Sequence, residues 1–338
     1  MYPLVSILIP CYNSEQWIAQ TIESALSQAW PNKEVIVVDD GSTDGSLAVA
    51  KRFESSIVKV LNQKNCGAST ARNRALKEAQ GDFIQYLDAD DLLSPQKIEQ
   101  QVLLLQKNPS NMLAVCGTIH FFDSEEPDKG ILEDGLPFLV DSDNPLDWLL
   151  RLLGADGTGG MVHPAAWLTP RSVAEAAGQW DEQPSPDDDG EYFTRVLLVS
   201  AGIRCAKLGV SYYRKHKAGS NLSRANSERL QWGALRSMDL KAQHILTRTD
   251  DPKAKRALAR CYMERAVLAY PDYPTVTEAA LNRVKNLGGT DYLPSFGSRK
   301  GQLLNRLFGW KAARKLSVRY HQYTSHFQKS LIQRRKNT

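Results

Sequence analysis

Short runs of apolar residues alternate with helix-forming segments along the first 120 residues of the chain. Most of these runs are continuous, which indicates strands that are buried on both faces. Continuous apolar strands separated by helices predict a mostly parallel sheet that is covered by helices on both sides. The predicted strands are residues 5–9, 34–38, 57–61, 83–87 and 112–122.

The pattern changes beyond residue 122. Residues 123–144 are polar and rich in Pro and Gly, which predicts a long loop. An acidic triplet at residue 187 opens a predicted helix that runs to residue 199, and two short strands are predicted at 203–207 and 210–213. Later segments have helical periodicity. The sequence therefore predicts an α/β domain over residues 1–222 and a helical C-terminal region with a basic tail over residues 223–338.

Composition restricts the class of protein. Of 338 residues, 42% are hydrophobic and 24% are charged, which is typical of a folded chain rather than a disordered one. The five cysteines are odd in number and show no CxxC spacing, so we expect free thiols in a reducing compartment. The sequence has no leader pattern and no apolar run of about 18 residues, which predicts a cytoplasmic protein.

The charge is distributed unevenly. Residues 298–338 contain 11 Lys and Arg residues and no Asp or Glu, whereas the rest of the chain has a net charge of −7. Leu303, Leu307, Trp310 and Leu316 could form an apolar stripe among these cations. Such a tail could contact an anionic membrane surface, at the inner face of the membrane. The alternatives are a helix that packs on the acidic body and a solvated, disordered end. Because nothing in it resembles an RNA- or DNA-binding module, no nucleic-acid partner is expected.

Carboxylates follow two of the predicted strands. Asp39 and Asp40 end the second strand, and an Asp-Ala-Asp-Asp sequence at residues 88–91 follows the fourth. Ligands of parallel sheets bind at the carboxyl ends of the strands, so both clusters are candidate site residues. Two carboxylates one residue apart point to the same side and suit Mg²⁺ or Mn²⁺, which prefer oxygen ligands. Taken singly, each cluster is equally explained by turn formation or helix capping.

Four segments in this order resemble the family 2 glycosyltransferases, which have the GT-A fold. The resemblance covers about the first 220 residues and implies an α/β nucleotide-diphospho-sugar transferase fold. It also implies an inverting, metal-dependent transfer from a UDP- or GDP-sugar to a hydroxyl of a saccharide or lipid-linked acceptor, in cell-surface polysaccharide or glycan synthesis. The segments that carry it are residues 6–13, 37–44, 71–73 and 86–91.

The resemblance assigns the donor to the first half of the site. Asp39 would hydrogen-bond the base, Arg72 would approach the diphosphate, and Asp90 would ligate Mn²⁺ or Mg²⁺. Asp88 would face the ribose or a metal-bound water, whereas Asp91 is expected to cap the following helix. The remaining donor contacts are expected from Pro10, Tyr12 and Asn13.

The resemblance assigns the acceptor to a later segment. Asp188 and Asp189 occupy the place of a Glu-Asp pair that opens a helix, and Trp180 stands where Phe is commoner. Asp189 is the candidate general base, since an acceptor hydroxyl needs a carboxylate to take its proton. Trp180 and Asp188 are expected on the acceptor side, although helix capping also explains the acidic pair. His216, in a Tyr-Arg-x-His-like ending, is expected to contact the metal or the diphosphate.

Other functions fit the sequence less well. A nucleotidyltransferase would carry a Gly-rich basic loop after the first strand, where this chain has a Pro-Cys-Tyr-Asn-Ser sequence. A dinucleotide-binding oxidoreductase would need a G-x-G-x-x-G motif there. A catalytically inactive nucleotide-sugar-binding protein is the third alternative. The presence of Asp39, Asp90 and Asp189 argues against it without excluding it. The loops within residues 123–163 are expected to select sugar and acceptor, with His163 in a structural role.

Overall fold

The computed structural model describes residues 2–123, 125–133, 136–216, 227–296 and 299–336, with side chains up to residue 319 apart from those of 299 and 300. Within these ranges the chain forms one mixed sheet flanked by helices. The strand order is β3-β2-β1-β4-β8-β6-β9-β5, and β7 pairs with β6. The strands are β1 (Val5–Cys11), β2 (Lys33–Asp39), β3 (Val58–Asn62), β4 (Phe83–Tyr86), β5 (Leu92–Leu93), β6 (Met112–Phe122), β7 (Ile131–Glu133), β8 (Trp167–Pro170) and β9 (Gly202–Lys215).

Helices cover both faces of this sheet and make up the C-terminal part of the described chain. Those on the sheet alternate with strands, and the later ones follow each other directly. They are α1 (Ile18–Leu26), α2 (Ser46–Lys51), α3 (Ala68–Glu78), α4 (Lys97–Leu105), α5 (Pro145–Leu152), α6 (Arg171–Ala177), α7 (Asp188–Val199), α8 (Glu228–Leu246), α9 (Pro252–Ala269), α10 (Pro274–Asn286) and α11 (Arg299–Lys336), which is kinked at Gly309.

The first four predicted strands are confirmed as a parallel unit. β1 lies between β2 and β4, and β3 lies outside β2, all parallel. Alternate residues of β1 enter two hydrophobic clusters, Leu8 in one and Ile7 in the other, because successive side chains point to opposite faces. In register, Cys11 pairs with Asp39, so the segments after β1 and β2 begin side by side.

The two short strands predicted near residue 205 are one strand. β9 pairs with β6 along its whole length, with a shift in register after Cys116, which pairs with Ala206, while Gly117 pairs with Val210. Gly209 has a φ of 83° at this bulge, and a Cβ there would lie 2.7 Å from the Cα of Lys97. The bulge lets β9 continue to the sheet edge where β1, β2 and β4 end.

The predicted loop at residues 123–144 contains regular structure. A short 3₁₀ helix (Pro127–Lys129) leads into β7, which pairs antiparallel with β6. The loop ends at Asn144, whose side chain accepts the Asp147 N–H and caps α5, a helix that the sequence did not predict. The segment expected to select substrates is therefore anchored to the sheet at β7.

The C-terminal helices extend the core of the α/β part. Leu235 of α8 and Leu258 of α9 belong to the same buried cluster as Trp148 and Tyr192. The predicted boundary at residue 222 lies outside the described residues, so the two-domain division stays a prediction. In the described part of the chain, no helix combines the length and apolar character needed to cross a membrane.

Candidate active site

The loops after β1 and β2 are held together by Asn13. Its side-chain oxygen accepts the Thr43 N–H at 2.8 Å, and its own N–H donates to the Ser42 hydroxyl at 3.0 Å. Asn13 has a φ of 48°, a left-handed conformation that asparagine tolerates better than most residues. Pro10 is buried within β1, whereas Tyr12, two residues later, is 49% exposed. The ring of Tyr12 is thus accessible at a fixed position beside the end of β2.

Asp39 offers a buried oxygen to a ligand. Its Oδ2 accepts the Ser42 N–H at 3.1 Å and an N–H of the Asn62 side chain at 2.9 Å. Its Oδ1 is buried and has no hydrogen-bond partner among the described residues. Buried carboxylate oxygens without a donor are costly, so this atom is suited to accept an N–H from a bound molecule.

Asp40 positions the helix that carries Arg72, a role that the sequence did not predict. Its two carboxylate oxygens accept the N–H groups of Cys66 and Gly67 at 2.9 and 2.7 Å. Gly67 precedes α3 and has a φ of 97°, which only glycine adopts without strain. The end of β2 thereby fixes the start of α3.

Arg72 joins the two halves of the site. One guanidinium nitrogen donates to Asp88 at 2.8 Å, and another donates to Asp188 at 2.9 Å. Burial alone would lower the pKa of Arg72, but the carboxylates of Asp88 and Asp188 raise it above its ordinary value. The end of β4 and the start of α7 therefore meet at one guanidinium, although 116 residues separate Arg72 from Asp188.

The ring of Trp180 packs against the guanidinium of Arg72. The guanidinium lies 4.5 Å above the Trp180 ring, which in turn stacks on Tyr192 at 4.1 Å. Asn73 holds the Trp180 backbone with two hydrogen bonds of 2.8 and 3.0 Å. Because the Trp180 side chain is only 2% exposed, it offers almost no surface to an acceptor. The structure places it against the Arg72 guanidinium, and its acceptor contact stays a prediction.

Asp189 has the electrostatics of a general base. It lies in the first turn of α7, where its carboxylate accepts the Gly190 N–H at 2.8 Å, so the helix-capping interpretation also applies. Burial, together with the charges of Asp188 and Asp187, raises the pKa of Asp189 to about 7. A base whose pKa lies near the working pH transfers protons most efficiently. Asp188 instead faces α3, where it also accepts a hydrogen bond from Ser69 at 3.0 Å.

Asp90 and His216 form the candidate metal centre. The two ring nitrogens of His216 lie 2.8 Å from Asp90 and 3.2 Å from Asp123. The hydrogen bond to Asp90 is the main reason that the pKa of His216 is raised. Carboxylate oxygens with one imidazole suit Mn²⁺ or Mg²⁺, so these residues fit the expected cation. Asp123, at the end of β6, was not predicted from the sequence.

Asp91 does not cap a helix, which corrects the sequence-based expectation. It is buried and accepts the Arg214 N–H at 2.9 Å, whereas α4 begins only at Lys97. Burial, reinforced by the charge of Asp90, raises the pKa of Asp91. Arg214 also donates from its side chain to the Asp90 carbonyl at 2.8 Å. Asp91 and Arg214 together hold β9 against the turn that carries Asp90.

Comparisons with known proteins point to one family of enzymes. A family model described as glycosyl transferase family 2 matches residues 6–176. Over 106 residues the chain is 43% identical to the UDP-Glc:alpha-D-GlcNAc-diphosphoundecaprenol beta-1,3-glucosyltransferase WfgD of Escherichia coli, which covers 31% of this chain and 42% of WfgD. The chain spans about half the length of most curated relatives it matches.

Two solved structures share the fold. Residues 1–349 of S. aureus TarS, in complex with UDP-GlcNAc, superpose with a TM-score of 0.68 at 20% identity, over 94% of this chain and 91% of that chain. The mannosyltransferase PcManGT from Pyrobaculum calidifontis, in complex with GDP-Man and Mn²⁺, gives a TM-score of 0.55 at 18% identity, over 94% and 85%. These likenesses confirm the predicted α/β fold with a helical C-terminal region.

Proposed function

Because the chain belongs to the family 2 glycosyltransferases and has the GT-A fold, we propose that it is an inverting, metal-dependent enzyme that transfers a sugar from a UDP- or GDP-sugar. The observation that carries the proposal is the position of Arg72 between Asp88 and Asp188. It brings the donor half of the site, in residues 1–91, against the helix that carries Asp189. All of the proposed site residues lie in the proposed catalytic domain, residues 1–222.

The donor base would bind between Tyr12 and Asp39. The exposed Tyr12 ring offers a flat apolar surface, and the unpaired Oδ1 of Asp39 offers an acceptor for a ring N–H. Uracil and guanine both carry such an N–H, so these contacts suit either base. The structures of TarS and PcManGT, which share the fold, are complexes with UDP-GlcNAc and with GDP-Man, which supports the same two classes of donor.

Asp90 and His216 would hold a Mn²⁺ or Mg²⁺ ion. When bound, this ion offsets the charge that develops on the departing nucleoside diphosphate. Asp123 orients His216 through its second ring nitrogen, and Arg214 fixes the Asp90 backbone. Such supporting hydrogen bonds keep metal ligands in place and raise their affinity. Arg72 keeps Asp88 oriented toward the same side of the cleft.

Asp189 would take the proton from the acceptor hydroxyl. Its raised pKa leaves a substantial share ionised at neutral pH while keeping it basic enough to accept a proton. Attack from the Asp189 side, opposite the departing diphosphate, gives one displacement with inversion. The C–O bond to the acceptor forms as the bond to the diphosphate breaks, and the proton stays on Asp189 until it exchanges with solvent.

The acceptor is proposed to be a saccharide, free or carried by a lipid, in cell-surface polysaccharide or glycan synthesis. The name of WfgD describes a glucosyltransferase that acts on a diphosphoundecaprenol-linked GlcNAc. A lipid-linked acceptor would be met at a membrane surface, where the basic C-terminal helix would help to bind the enzyme.

We propose that the first half of α11 contacts an anionic membrane. Trp310 packs against Tyr270 at 5.5 Å, so one face of this helix lies on the protein. Leu303, Leu307 and Phe308 are exposed, and the flanking cations would favour anionic lipid. The variant L307E/F308E should sediment less than wild type with phosphatidylglycerol vesicles, and neither should sediment with phosphatidylcholine. Equal sedimentation of the two proteins would remove the proposed contact.

The proposed activity is tested with a panel of nucleotide sugars. Melting temperature is measured with each donor, in the presence and absence of Mn²⁺. A UDP- or GDP-sugar should raise the melting temperature only with metal, and added saccharide acceptors should then be glycosylated. If no donor stabilises the chain, the donor proposal is wrong. If a donor binds but is neither hydrolysed nor transferred, the inactive nucleotide-sugar-binding protein is the better description.

A further inference from the structure

Three potential metal ligands converge beside the donor half of the site. They are His120 on β6, Glu133 on β7 and His163 in the segment before β8, and one ligand atom of each lies within 4.8 Å of the other two. We propose that this His120–Glu133–His163 cluster is a second metal site that binds Zn²⁺ or a similar borderline transition ion. It shares no ligand with the carboxylate-rich centre at Asp90 and does not depend on the proposed transfer reaction.

The three side chains are held in place by neighbouring structure. A ring nitrogen of His120 lies 2.7 Å from a carboxylate oxygen of Glu133, across the β6–β7 pairing in which His120 is opposite Ile131. His163 stacks on Tyr213 of β9 at 4.0 Å with an interplanar angle of 21°. Because two strands and a stacked ring fix the ligands, little side-chain entropy is lost on binding an ion.

Both histidines have a ring nitrogen available for an additional partner. Nδ1 of His120 and Nε2 of His163 are buried, and neither has a hydrogen-bond partner among the described residues. Unpaired buried nitrogens are uncommon and indicate an absent ligand or water. Burial, with a contribution from His120, lowers the pKa of His163 to about 4. His163 is therefore neutral at neutral pH, which is the form that binds metals.

The ligand set selects a different ion from the Asp90 centre. Two imidazoles and one carboxylate are a common zinc set, whereas Mg²⁺ and Ca²⁺ prefer oxygen ligands throughout. Zinc–ligand bonds near 2.1 Å place tetrahedral ligand atoms about 3.4 Å apart. The 2.7 Å contact between His120 and Glu133 would therefore widen slightly to admit the ion. Glu133 is 39% exposed, which provides an entry path and a place for a water as fourth ligand.

A bound ion would fasten the segment that is expected to select substrates. His120 precedes this segment, Glu133 lies within it, and His163 ends it. Asp88 is close enough to influence the pKa of His163, so the cluster lies near the donor pocket. The ion would thus fix the wall of the cleft on that side without taking part in the transfer itself.

The test uses the full chain carrying Asp90→Asn, which weakens the other centre, after dialysis against a chelator. Zinc chloride is titrated by calorimetry, and bound zinc is counted by elemental analysis after gel filtration. One zinc ion per chain should bind and raise the melting temperature. Adding Glu133→Gln or His120→Gln should weaken zinc binding at least tenfold and abolish the thermal shift.

Glu126→Gln is the matched control, because Glu126 is an exposed carboxylate on the same connection. It should bind zinc as tightly as the parent. Glu133 is partly exposed, so Glu133→Gln is expected to fold, which its circular dichroism and melting curve without zinc will verify. Unchanged zinc affinity in Glu133→Gln and His120→Gln, or no zinc binding by the parent, would overturn the proposal.

Discussion

The guanidinium of Arg72 donates to two carboxylates that belong to different halves of the cleft, at 2.8 and 2.9 Å. The planar guanidinium can donate hydrogen bonds to both carboxylates at once, whereas a lysine ammonium is a point charge on a flexible side chain. The sequence predicted that Arg72 would approach the donor diphosphate. In the structure its first partners are protein carboxylates, so its direct effect is on the orientation of Asp88 and Asp188.

Replacing Arg72 with lysine should therefore cost both stability and activity. The charge is kept, but one of the two ion pairs is lost in a buried place, so we expect a loss of roughly 1–3 kcal/mol in the free energy of unfolding. Transfer activity should fall by about 10- to 100-fold, because Asp88 and Asp188 are no longer held in fixed positions relative to each other. Urea unfolding and steady-state kinetics measure the two effects.

Arg74→Lys is the control for that substitution, since Arg74 lies on the same helix and donates to the Asn62 carbonyl and the Gln63 side chain. Its unfolding free energy and activity should stay close to wild type. If Arg72→Lys behaves like Arg74→Lys, the guanidinium does not organise the cleft.

Asp189 predicts the pH dependence of the reaction. A base must be ionised to accept a proton, so kcat should rise with pH through about 7, where Asp189 titrates. Asp189→Asn should lower kcat by roughly 10²- to 10⁴-fold and leave donor-induced stabilisation intact. A pH profile that is flat between 6 and 8 would assign the base elsewhere, as would loss of donor binding in Asp189→Asn.

The same titration lowers the stability of the fold as the pH rises, whereas it raises kcat. The pKa of Asp189 is raised from 3.8 to about 7 by folding, so the folded chain binds the extra proton between these values. The contribution of Asp189 to the free energy of unfolding is therefore largest below about pH 4 and is lost as the pH rises to about 7. Relative to wild type, Asp189→Asn should gain melting temperature between pH 4 and 8. A difference that does not vary with pH would contradict the shifted pKa.

Among the elements, β9 has the largest effect on the site, because it brings Arg214 and the following His216 to the edge where β4 ends. It reaches that edge through the bulge at Gly209, where the chain passes close to the start of α4. A side chain at this position would require both a left-handed conformation and the displacement of backbone atoms.

Gly209→Ala should be more costly than a glycine replacement in open space. We expect a loss of about 1–3 kcal/mol in the free energy of unfolding, measured in urea, from the positive φ and the contact with Lys97 together. Gly157 also has a positive φ, but a Cβ there has no heavy atom within 4 Å, so Gly157→Ala isolates the conformational cost. Equal losses of stability in both variants would show that the contact with Lys97 adds nothing to the cost of the positive φ.

The strands of the parallel unit could be predicted because each is a compact apolar run between helices. β9 could not be predicted as one strand, since Gly209 in its middle has the composition of a turn. α5 could not be predicted because its capping residue, Asn144, lies in a polar, proline-containing stretch. The pairing of Arg72 with Asp188 depends on contacts across 116 residues, which no local pattern encodes. The candidate residues of the site could be named from sequence motifs. The contacts that Asp40, Asp123 and Arg214 make with the site could be identified only from the folded structure.

Across the whole molecule, one buried cluster runs from the sheet into the C-terminal helices. Tyr192 of α7, Trp148 of α5 and Leu258 of α9 all belong to it. Polar contacts reinforce this junction: Lys253 pairs with Asp147 at 2.9 Å. The proposed division at residue 222 would then separate functions rather than independently stable units.

Leu258→Ala should destabilise the entire described chain. Removing a fully buried leucine costs about 2–5 kcal/mol, and a shared core should spread the loss over both parts. Tryptophan fluorescence, which reports on the seven tryptophans of both parts of the chain, and far-ultraviolet circular dichroism should give coincident unfolding curves at a lower urea midpoint. Leu268→Ala, at an exposed position of the same helix, should change stability by less than about 0.5 kcal/mol. Separate transitions by the two probes would instead support autonomous domains.

The return of β9 to the site also has a consequence for synthesis of the protein. His216 follows Asp90 by 126 residues, so the two cannot meet while the later segment is still inside the ribosome. At translation rates of about 5–20 residues per second, this interval lasts roughly 6–25 s. During that time a nascent chain can already have formed β1 to β4 and still lack His216. If His216 holds the proposed metal ion, the nascent chain would be unable to use the proposed donor at that stage.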